Sequence, residues 1–365
     1  MKKIKVGVFF GGRSTEHEVT IWSAKSVITN LDSDKYEILP IGIDKNGKFH
    51  FGKEEILKYI PQAKELFAED KFCKNFPNEL NEHLSEYIDV AFPVLHGYLG
   101  EDGAIQGFLK ILDIPFVGPD ILSSAACMDK EITKILLKSE KIPVADYITL
   151  RKPDVVQYED ISKKLGGIVF VKPASSGSSV GVSKVRNEAE LIAAIAEAYK
   201  YDNKVLIEKA IVGREIEYAV IGNENPQTSD ICGEVIALDD FYTYEAKYID
   251  ENGAKIEIPA KLSSQLMEKA KSIALKAYKT LNCEGMCRVD MFVTENEVIV
   301  NEMNTIPGFV SGTSMYPLLL QKSGFSYPQL LDELINLSIS RHTRDAKLST
   351  TKNETAQGTH QSDAA

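Results

Sequence analysis

The chain has 365 residues, enough for two or three domains that each bury a hydrophobic core. Its formal net charge of -11 at pH 7 argues against nucleic acid or an anionic membrane as a partner, although local basic sites for phosphate groups are compatible with it. The first apolar run ends at Phe10 and is too short for a secretory signal, and no stretch approaches the length of a membrane span. The five cysteines lack metal-binding spacing, so we expect reduced thiols in a cytoplasmic protein.

The first element in chain order is the β-rich run KIKVGVFF, which ends at Gly11 and Gly12. Thr15 and Glu18 then match a capping box, so the stretch predicts the first strand and helix of a parallel sheet. It also approximates the phosphate-loop pattern G-x-x-x-x-G-K-[ST], with Arg13 in place of the lysine. We reject a phosphate loop here because its variable positions lie in the strand, where backbone amides pair with neighbouring strands.

Two candidate site residues lie just beyond the carboxyl ends of predicted strands, where open α/β sheets bind ligands. Glu16 falls in the first turn of the predicted helix, where capping of the helix is a sufficient alternative explanation. His96 follows the strand AFPVL, a position in which a single histidine is more often structural. For residues 1–118 we predict a Rossmann-like domain with a doubly wound parallel sheet.

From Ser123 onward the pattern changes to a long helix, the strand IVFVK, a loop of small residues and a second strand, which predicts an α+β domain. The loop KPASSGSS allows close backbone approach to an anion, and Lys172 supplies a fixed positive charge beside it. A flexible hairpin loop explains the same residues equally well. Lys130, at the start of the helix, is a second candidate phosphate ligand, although a solvated helix charge is more common.

A β-hairpin is predicted near the end of the chain from the runs RVDMFV and VIVNEMN. With the turn centred on Asn296, Asp290 lies opposite Glu302 and Arg288 lies opposite Asn304, all on one face. A solvated hairpin edge is the competing explanation, but the remaining positions are apolar and indicate a buried face. Opposed carboxylates need a neutralising partner, and two carboxylates with an amide oxygen are hard ligands suited to Mg²⁺ bound to nucleotide phosphates.

Eight stretches, taken together, resemble the ATP-grasp superfamily and, within it, the D-alanine–D-alanine ligase family. They are EHEVT, FPVLHGYLGEDG, CMDK, KPASSGSSVG, VLIEKAIVGRE, YEAKY, RVDMF and NEMNTIPG, in this order. The resemblance implies that residues 1–118 bind substrate and precede a two-domain ATP-grasp fold. Its central subdomain would span residues 119–208, and its C-terminal subdomain, with the lid loop and metal site, residues 209–340. We expect the polar tail, residues 341–365, to be disordered.

The resemblance also implies an activity. The carboxylate of one D-alanine would take the γ-phosphoryl group of ATP, and the amine of a second D-alanine would attack the acyl phosphate. The product would be D-alanyl-D-alanine for peptidoglycan precursor synthesis. The resemblance further implies two Mg²⁺ ions, with Mn²⁺ able to replace them, and a cytoplasmic homodimer.

Individual residues take implied roles from the same resemblance. The ATP-binding set comprises Glu208, Lys209 and Ile211 at the adenine, Glu215 at the ribose, and Lys130, Lys172 and Lys247 at the phosphates. The metal ligands are Asp290, Glu302 and Asn304. The catalytic set comprises Glu16, Ser178 and Tyr248 at the first substrate, and Arg288 with the backbone amide of Gly308 at the oxyanion. The other substrate contacts are His96, Ser314 and Met315. Tyr248 would lie on a lid loop that excludes water.

Two departures from the family pattern concern the substrates. Thr20 stands where a serine normally follows the EHEV motif, and the loop PGFVSGTSMYP is one residue longer than usual. A ligase that joins D-alanine to D-serine is therefore an open alternative, since a site that accommodates a small side chain rejects one extra hydroxyl weakly. The resemblance disfavours D-lactate, because family members that use D-lactate typically lack the pair that stands here as Lys247 and Tyr248. A nucleotide-binding protein without turnover would be expected to have lost Arg288, Glu16 or a metal ligand, and all are present.

Overall fold

The computed structural model describes residues 2–68, 72–73, 84–237 and 254–349. Its strands form three sheets, each covered by helices. Lys247 and Tyr248 of the expected lid, and residues 350–365 of the tail, lie outside the described residues. In the part of the chain that is described, none of the helices has the length and apolar character needed to cross a bilayer.

The N-terminal sheet has four strands in the order β3-β2-β1-β4. The strands are β1 (Ile4–Gly11), β2 (Tyr36–Ile43), β3 (Phe49–Phe51) and β4 (Val90–Pro93). The helices are α1 (His17–Asn30), α2 (Lys53–Tyr59), a 3-10 helix (Pro61–Phe67), α3 (Leu84–Tyr87) and α4 (Ala104–Ile111). β1, β2 and β4 are parallel, and their near-continuous apolar runs bury both faces. β3 is antiparallel to β2, so the sheet departs from the expected parallel arrangement at this edge.

The end of β1 confirms that the glycine-rich segment is no phosphate loop, since β1 pairs with both β2 and β4. The predicted capping box is wrong, because the N-cap of α1 is Glu16 and Thr15 is exposed. The side chain of Glu16 makes no capping hydrogen bond, and its backbone amide donates to Ser14 Oγ at 3.1 Å. The carboxylate of Glu16 is therefore available for another contact at the mouth of the sheet.

The central sheet is antiparallel, with the order β5-β8-β6-β7. Its elements, with the two helices that precede it, are α5 (Ile121–Met128), α6 (Lys130–Ser139), β5 (Tyr147–Arg151), α7 (Tyr158–Leu165), β6 (Val169–Pro173), β7 (Ser183–Val185), α8 (Glu188–Ala198) and β8 (Lys204–Lys209). α7 and α8 cover one face. The carboxylate of Asp129 accepts hydrogen bonds from two amides of the first turn of α6, which fixes Lys130 as the first residue of that helix.

The C-terminal sheet has the order β12-β11-β9-β13-β14, and a short β10 pairs with β9. Its elements are β9 (Arg214–Gly222), β10 (Gln227–Thr228), β11 (Gly233–Ala237), β12 (Ala254–Glu257), α9 (Ser264–Thr280), β13 (Gly285–Val293) and β14 (Val298–Asn304), followed by α10 (Met315–Lys322) and α11 (Tyr327–Asp345). α9 packs on one face through a row of buried alanines. The largest hydrophobic cluster joins β1 and α1 to α10 and α11, so the first and last parts of the chain share a core.

Helix α11 continues to Asp345, so the expected disorder is wrong for residues 341–345. The guanidinium of Arg341 is buried and donates to the carbonyl oxygens of Phe116 at 2.8 Å and Gly118 at 2.6 Å. Arg344 pairs with Glu284 at 2.6 Å. The Arg341 contacts attach the last helix to the chain that leaves the N-terminal sheet, and the Arg344 contact attaches it to the start of β13.

Candidate functional site

A cleft of about 370 Å³ separates the central sheet from the C-terminal sheet. The predicted site residues that line it are Lys130, Lys172, Ser178, Glu208, Lys209, Ile211, Glu215, Arg288, Asp290 and Glu302. β6, β8 and the loop between β6 and β7 form one wall, and β9, β13 and β14 form the other. The structure therefore brings most of the predicted phosphate, nucleotide and metal residues to a single site. Asn304 does not line the cleft but donates a hydrogen bond to Asp290, and Lys247 lies outside the described residues.

The hairpin of β13 and β14 has the predicted register around its polar residues. Asp290 pairs with Glu302, and Arg288 pairs with Asn304. Directly paired residues point to the same face of a sheet, so all four side chains share the face that borders the cleft. The expected juxtaposition of acids is confirmed.

A β-bulge lies directly beside these pairs and was not predicted. In an unbroken register, Val298 and Val300 would share the face of Asp290. The register instead shifts after Asp290, with Asn301 as the extra residue, so that Met291 pairs with Val300. Met291, Val298 and Val300 are all buried in the core beneath α9. The bulge thus places Val298 and Val300 on the core face, while Asp290 and Glu302 remain on the face that borders the cleft.

Arg288 is hydrogen-bonded to one carboxylate and lies within ion-pair distance of a second. Its Nε and Nη2 donate to the two oxygens of Asp290, both at 2.7 Å, and its Nε lies 2.9 Å from Glu217 Oε2. Asn304 Nδ2 donates to Asp290 Oδ2 at 2.9 Å. Burial alone would lower the pKa of Arg288, but the charges of Asp290 and Glu217 outweigh it and hold that pKa above its ordinary value. Sequence reasoning missed Glu217, although the alternation in REIEYAV places it on the same face as Glu215.

The donor set suits a hard cation only in part. Within the described ranges, no group of three His, Cys, Asp or Glu side chains is arranged as a metal site. Asp290, Glu302 and Asn304 offer oxygen atoms on one face of the hairpin, which is the ligand type that Mg²⁺ takes. Mg²⁺ usually completes its shell with water and substrate phosphates, so this incomplete protein set fits an ion that arrives with a nucleotide.

The wall of the cleft formed by the central sheet is built around the buried carboxylate of Glu208. Glu208 Oε2 lies 2.8 Å from Lys172 Nζ, and Glu208 Oε1 lies 3.1 Å from Lys134 Nζ. Burial alone would raise the pKa of Glu208, but the two ammonium groups outweigh it and hold the pKa below its ordinary value. Burial lowers the pKa of Lys134. Sequence reasoning missed Lys134, which lies one helical turn after Lys130 and therefore on the same side of α6.

Lys130 reaches into the cleft from the first turn of α6. Its Nζ donates to the carbonyl oxygen of Ser176 at 2.6 Å and lies 3.8 Å from Glu302 Oε2 on the other wall. Burial lowers the pKa of Lys130. The alternative of a solvated helix charge is therefore wrong, since this ammonium group lies between the loop of small residues and a predicted metal ligand.

Glu16 makes a long-range contact, because the hydroxyl of Ser178 donates a hydrogen bond to its carboxylate. A Cβ atom at Gly97 would lie 2.6 Å from Glu16 Oε2, so only glycine fits beside this carboxylate. Ser178 has a φ of 49°, a left-handed conformation that residues other than glycine rarely adopt. The contact joins the N-terminal sheet to the loop between β6 and β7.

His96 is buried, and both of its ring nitrogens have protein partners. Nδ1 lies 2.9 Å from the carbonyl oxygen of Ile306, and Nε2 lies 2.9 Å from Ser23 Oγ. Ser23 Oγ in turn accepts a hydrogen bond from the amide of Phe309 at 3.2 Å. Burial lowers the pKa of His96. These contacts favour the structural explanation, in which His96 fixes the segment that contains Gly308.

Glu101 was also missed, and it supports the same segment. Its Oε2 accepts a hydrogen bond from the amide of Gly97 at 2.8 Å, and its Oε1 accepts one from the amide of Ile306 at 3.1 Å. Burial, assisted by the negative charge of Glu16, raises the pKa of Glu101 to about 8. The signal was the acid in the loop HGYLGEDG, which directly follows the strand of His96.

The segment after β14 places the remaining predicted substrate residues. Ser314 Oγ accepts a hydrogen bond from the amide of Val310 at 2.9 Å, and a Cβ atom at Gly308 would lie 2.8 Å from that oxygen. Met315 is buried in the core and lies against Gly233. The side chain of Met315 therefore serves packing, and only its main chain is available to a substrate.

Two family models match the chain. Residues 5–119 match the family described as D-ala D-ala ligase N-terminus, and residues 136–336 match the one described as D-ala D-ala ligase C-terminus. A curated D-alanine–D-alanine ligase of Shouchella clausii is 46% identical over 364 residues, which cover 95% of this chain and 98% of the relative. D-alanine–D-alanine ligase A of Salmonella typhimurium is 44% identical over 367 residues, with coverages of 96% and 100%.

Solved structures agree with these relatives. The D-alanine–D-alanine ligase of Coxiella burnetii has a TM-score of 0.79 at 38% identity and covers 94% of this chain and 98% of its own. The VanG D-Ala:D-Ser ligase of Enterococcus faecalis has a TM-score of 0.78 at 35% identity, with coverages of 92% and 100%. The Bacillus anthracis D-alanine–D-alanine ligase complexed with ATP has a TM-score of 0.73 at 30% identity, with coverages of 94% and 99%.

Proposed function

Because the chain belongs to the D-alanine–D-alanine ligase family, we infer that it is an ATP-dependent ligase that joins two D-alanine molecules. The single observation that carries this function is the similarity to curated D-alanine–D-alanine ligases at 44% and 46% identity over almost the whole chain. The fold is the mixed α/β fold of the solved ligases in the ATP-grasp superfamily. The product, D-alanyl-D-alanine, serves peptidoglycan synthesis.

ATP occupies the cleft between the central and C-terminal sheets in this proposal. Lys130 and Lys172 hold the phosphates, and Lys247 joins them from outside the described residues. The adenine and ribose lie along the end of β8 and the start of β9, where the cleft is lined by Glu208, Lys209, Ile211 and Glu215. Asp290, Glu302 and Asn304 hold two Mg²⁺ ions, which Mn²⁺ can replace. When bound, the metal would supply positive charge that offsets the negative charge of the phosphates.

Glu16 is proposed to bind the ammonium group of the first D-alanine. Its carboxylate lies at the carboxyl edge of the N-terminal sheet and contacts Ser178 in the loop between β6 and β7. In this proposal the carboxylate of the bound D-alanine faces the cleft, where it accepts the phosphoryl group. Tyr248, outside the described residues, is the third member of this set and excludes water from the acyl phosphate as part of the lid.

Arg288 and the backbone amide of Gly308 are proposed to stabilise the oxyanion formed when the second D-alanine attacks the acyl phosphate. A preorganised donor contributes most when its position is fixed before the reaction, because little reorganisation is then required. Arg288 is fixed by Asp290 and Glu217, and the residues on either side of Gly308 are fixed by His96, Ser23 and Glu101. Ser314 and the main chain of Met315 are proposed to hold the carboxylate of the second substrate.

D-serine as the second substrate is not favoured. The relatives at 44% and 46% identity are D-alanine–D-alanine ligases, whereas the VanG D-Ala:D-Ser ligase is 35% identical. We further propose that the protein is a cytoplasmic homodimer, with domains at residues 1–118, 119–208 and 209–340.

The deciding experiment is phosphate release by the purified protein with ATP and Mg²⁺, with products identified by mass. D-alanine alone is compared with D-alanine plus D-serine and with D-alanine plus D-lactate. We expect strong release with D-alanine alone and D-alanyl-D-alanine as the product. A mixed dipeptide as the favoured product would move the protein to the D-serine ligases, and release that is independent of substrate would contradict ligation.

A further inference from the structure

Three neighbouring strands of the C-terminal sheet present carboxylates in a single row. Glu217 on β9 pairs with Asp290 on β13, and Asp290 pairs with Glu302 on β14. Glu217 and Asp290 are each 9% exposed, so little of this negative charge is screened by water. Like charges directly opposite one another destabilise a sheet unless a cation lies between them. Arg288 is the cation that contacts two of the three carboxylates.

The pair of Arg288 and Asp290 conflicts with metal binding at Asp290. Arg288 takes up both oxygens of Asp290 in this structure. A divalent ion on Asp290 needs at least one of these oxygens, and its charge repels a guanidinium a few ångströms away. Once the ion is bound, Arg288 therefore needs a second carboxylate to keep its position. Glu217 is already in place for this, with Oε2 at 2.9 Å from Arg288 Nε.

We propose that Glu217 is a positioning residue, which retains the guanidinium of Arg288 beside the reacting carbon after a metal ion has occupied Asp290. The inference rests on the proposed function, since it takes Asp290 as a metal ligand and Arg288 as the oxyanion donor. Glu217 touches neither substrate nor metal in this proposal, and it acts through Arg288 alone. A simpler role, in which Glu217 only stabilises the sheet, makes different predictions.

The test uses Glu217→Gln in the full chain, which removes the charge and keeps a similar shape. We expect kcat for dipeptide formation to fall about tenfold, because a displaced donor weakens transition-state binding, while the KM for ATP changes less than twofold. Without Glu217, the guanidinium pairs with Asp290 alone and competes more strongly with the ion. The apparent Kd for Mg²⁺ in the presence of ADP, measured by calorimetry without turnover, is therefore expected to rise about threefold or more.

A double-mutant cycle shows whether Glu217 acts through Arg288. In an Arg288→Lys background, which keeps the charge but loses the planar fork, the added Glu217→Gln change is expected to lower kcat less than twofold. Glu217→Asp keeps the charge with a shorter reach, and we expect a kcat between those of the wild type and Glu217→Gln. This variant also decides the question if Glu217→Gln does not fold, because a wild-type kcat in Glu217→Asp would then overturn the proposal.

A matched control comes from the other face of the same sheet. Glu234 on β11 pairs with Arg214, Nε to Oε1 at 2.7 Å, and is likewise buried. Glu234→Gln removes a buried carboxylate from a guanidinium in the same way, so it is expected to lower the melting temperature without changing kcat or Mg²⁺ binding. An equal loss of kcat in Glu217→Gln and Glu234→Gln would contradict the proposal. So would an equal loss of kcat when Glu217→Gln is made in the wild type and in the Arg288→Lys background. Absence of ligation by the wild type would instead reject the proposed function itself.

Discussion

The two walls of the cleft carry opposite charge. The charged side chains at the wall of the central sheet include Lys130, Lys172 and Glu208, with Lys134 behind them. Those at the wall of the C-terminal sheet include Arg288, Glu217, Asp290 and Glu302. Each wall neutralises only part of its own charge, and the excess is positive on the first and negative on the second. A nucleotide with a divalent ion carries charges of both signs, so one bound complex can satisfy both walls.

Arg288→Ala should give the largest effect, since it removes the cation from the negative wall. We expect kcat to fall about 10²–10³-fold, as for loss of an oxyanion donor, with the fold retained. Steady-state kinetics with circular dichroism would measure both. Arg214→Ala is the matched control, because Arg214 pairs with Glu234 on the opposite face. Unchanged turnover in Arg288→Ala would remove Arg288 from the oxyanion role.

Glu208→Gln removes the carboxylate from the positive wall, as Arg288→Ala removes the cation from the negative one. It leaves the buried ammonium groups of Lys134 and Lys172 without their carboxylate, so we expect the free energy of unfolding to fall by about 3 kcal/mol. The pKa of Glu208 is lowered in the fold, so its contribution is present above the unfolded pKa and is lost as the pH falls. Urea unfolding should therefore show a gap between variant and wild type that narrows below pH 4.

The control for that variant is Glu131→Gln. Glu131 is also buried and lies 3.1 Å from Lys204 Nζ and 2.8 Å from an Arg151 nitrogen, but both cations are more exposed. We expect less than half the loss of Glu208→Gln, because water replaces the lost partner. An equal loss in the free energy of unfolding in Glu131→Gln and Glu208→Gln would show that the positive wall depends on its carboxylate no more than other ion pairs do.

Asp290→Asn should shift the magnesium requirement. The change keeps an oxygen ligand and removes one negative charge from the wall, so we expect the Mg²⁺ concentration for half-maximal activity to rise about tenfold. A Mg²⁺ titration of phosphate release at saturating ATP measures it. An unaltered titration would remove Asp290 from the proposed metal site.

Glu101→Gln tests an acid that belongs to neither wall, through the pH dependence of stability. The fold raises the pKa of Glu101 to about 8, so between the unfolded pKa and pH 8 the folded state binds more protons than the unfolded chain. The free energy of unfolding of the wild type should therefore decline with rising pH relative to that of Glu101→Gln. The slope is at most about 1.4 kcal/mol per pH unit. Parallel stability curves between pH 5 and 8 would contradict this.

The hairpin shows what the sequence could and could not predict. The pairs of Asp290 with Glu302 and of Arg288 with Asn304 followed from strand alternation about an assumed turn, and they are confirmed. The bulge at Asn301 was missed because an extra residue changes the face of every residue beyond it without changing composition. The inconsistency was visible, since a regular hairpin would have placed Val298 and Val300 on the polar face.

Contacts between segments that are distant in the chain could not be predicted from local sequence patterns. Ser178 and Glu16 are 162 residues apart, and only the resemblance to a family placed them in one set. Glu217, Lys134 and Glu101 were missed because each has its partner on a different element, and local spacing does not show which elements meet. His96 and Met315 were expected at the substrate, but their side chains make protein contacts that depend on tertiary packing.

The core shared by β1, α1 and α11 has a consequence during protein synthesis. Val6 and Val8 of β1 pack in one cluster with Leu330 and Leu334 of α11, and Arg341 binds carbonyl oxygens at Phe116 and Gly118. A ribosome that adds about 5–20 residues per second needs on the order of 10–45 s between residue 119 and residue 345. For that interval the nascent N-terminal sheet exposes an apolar face that its last helix will later cover.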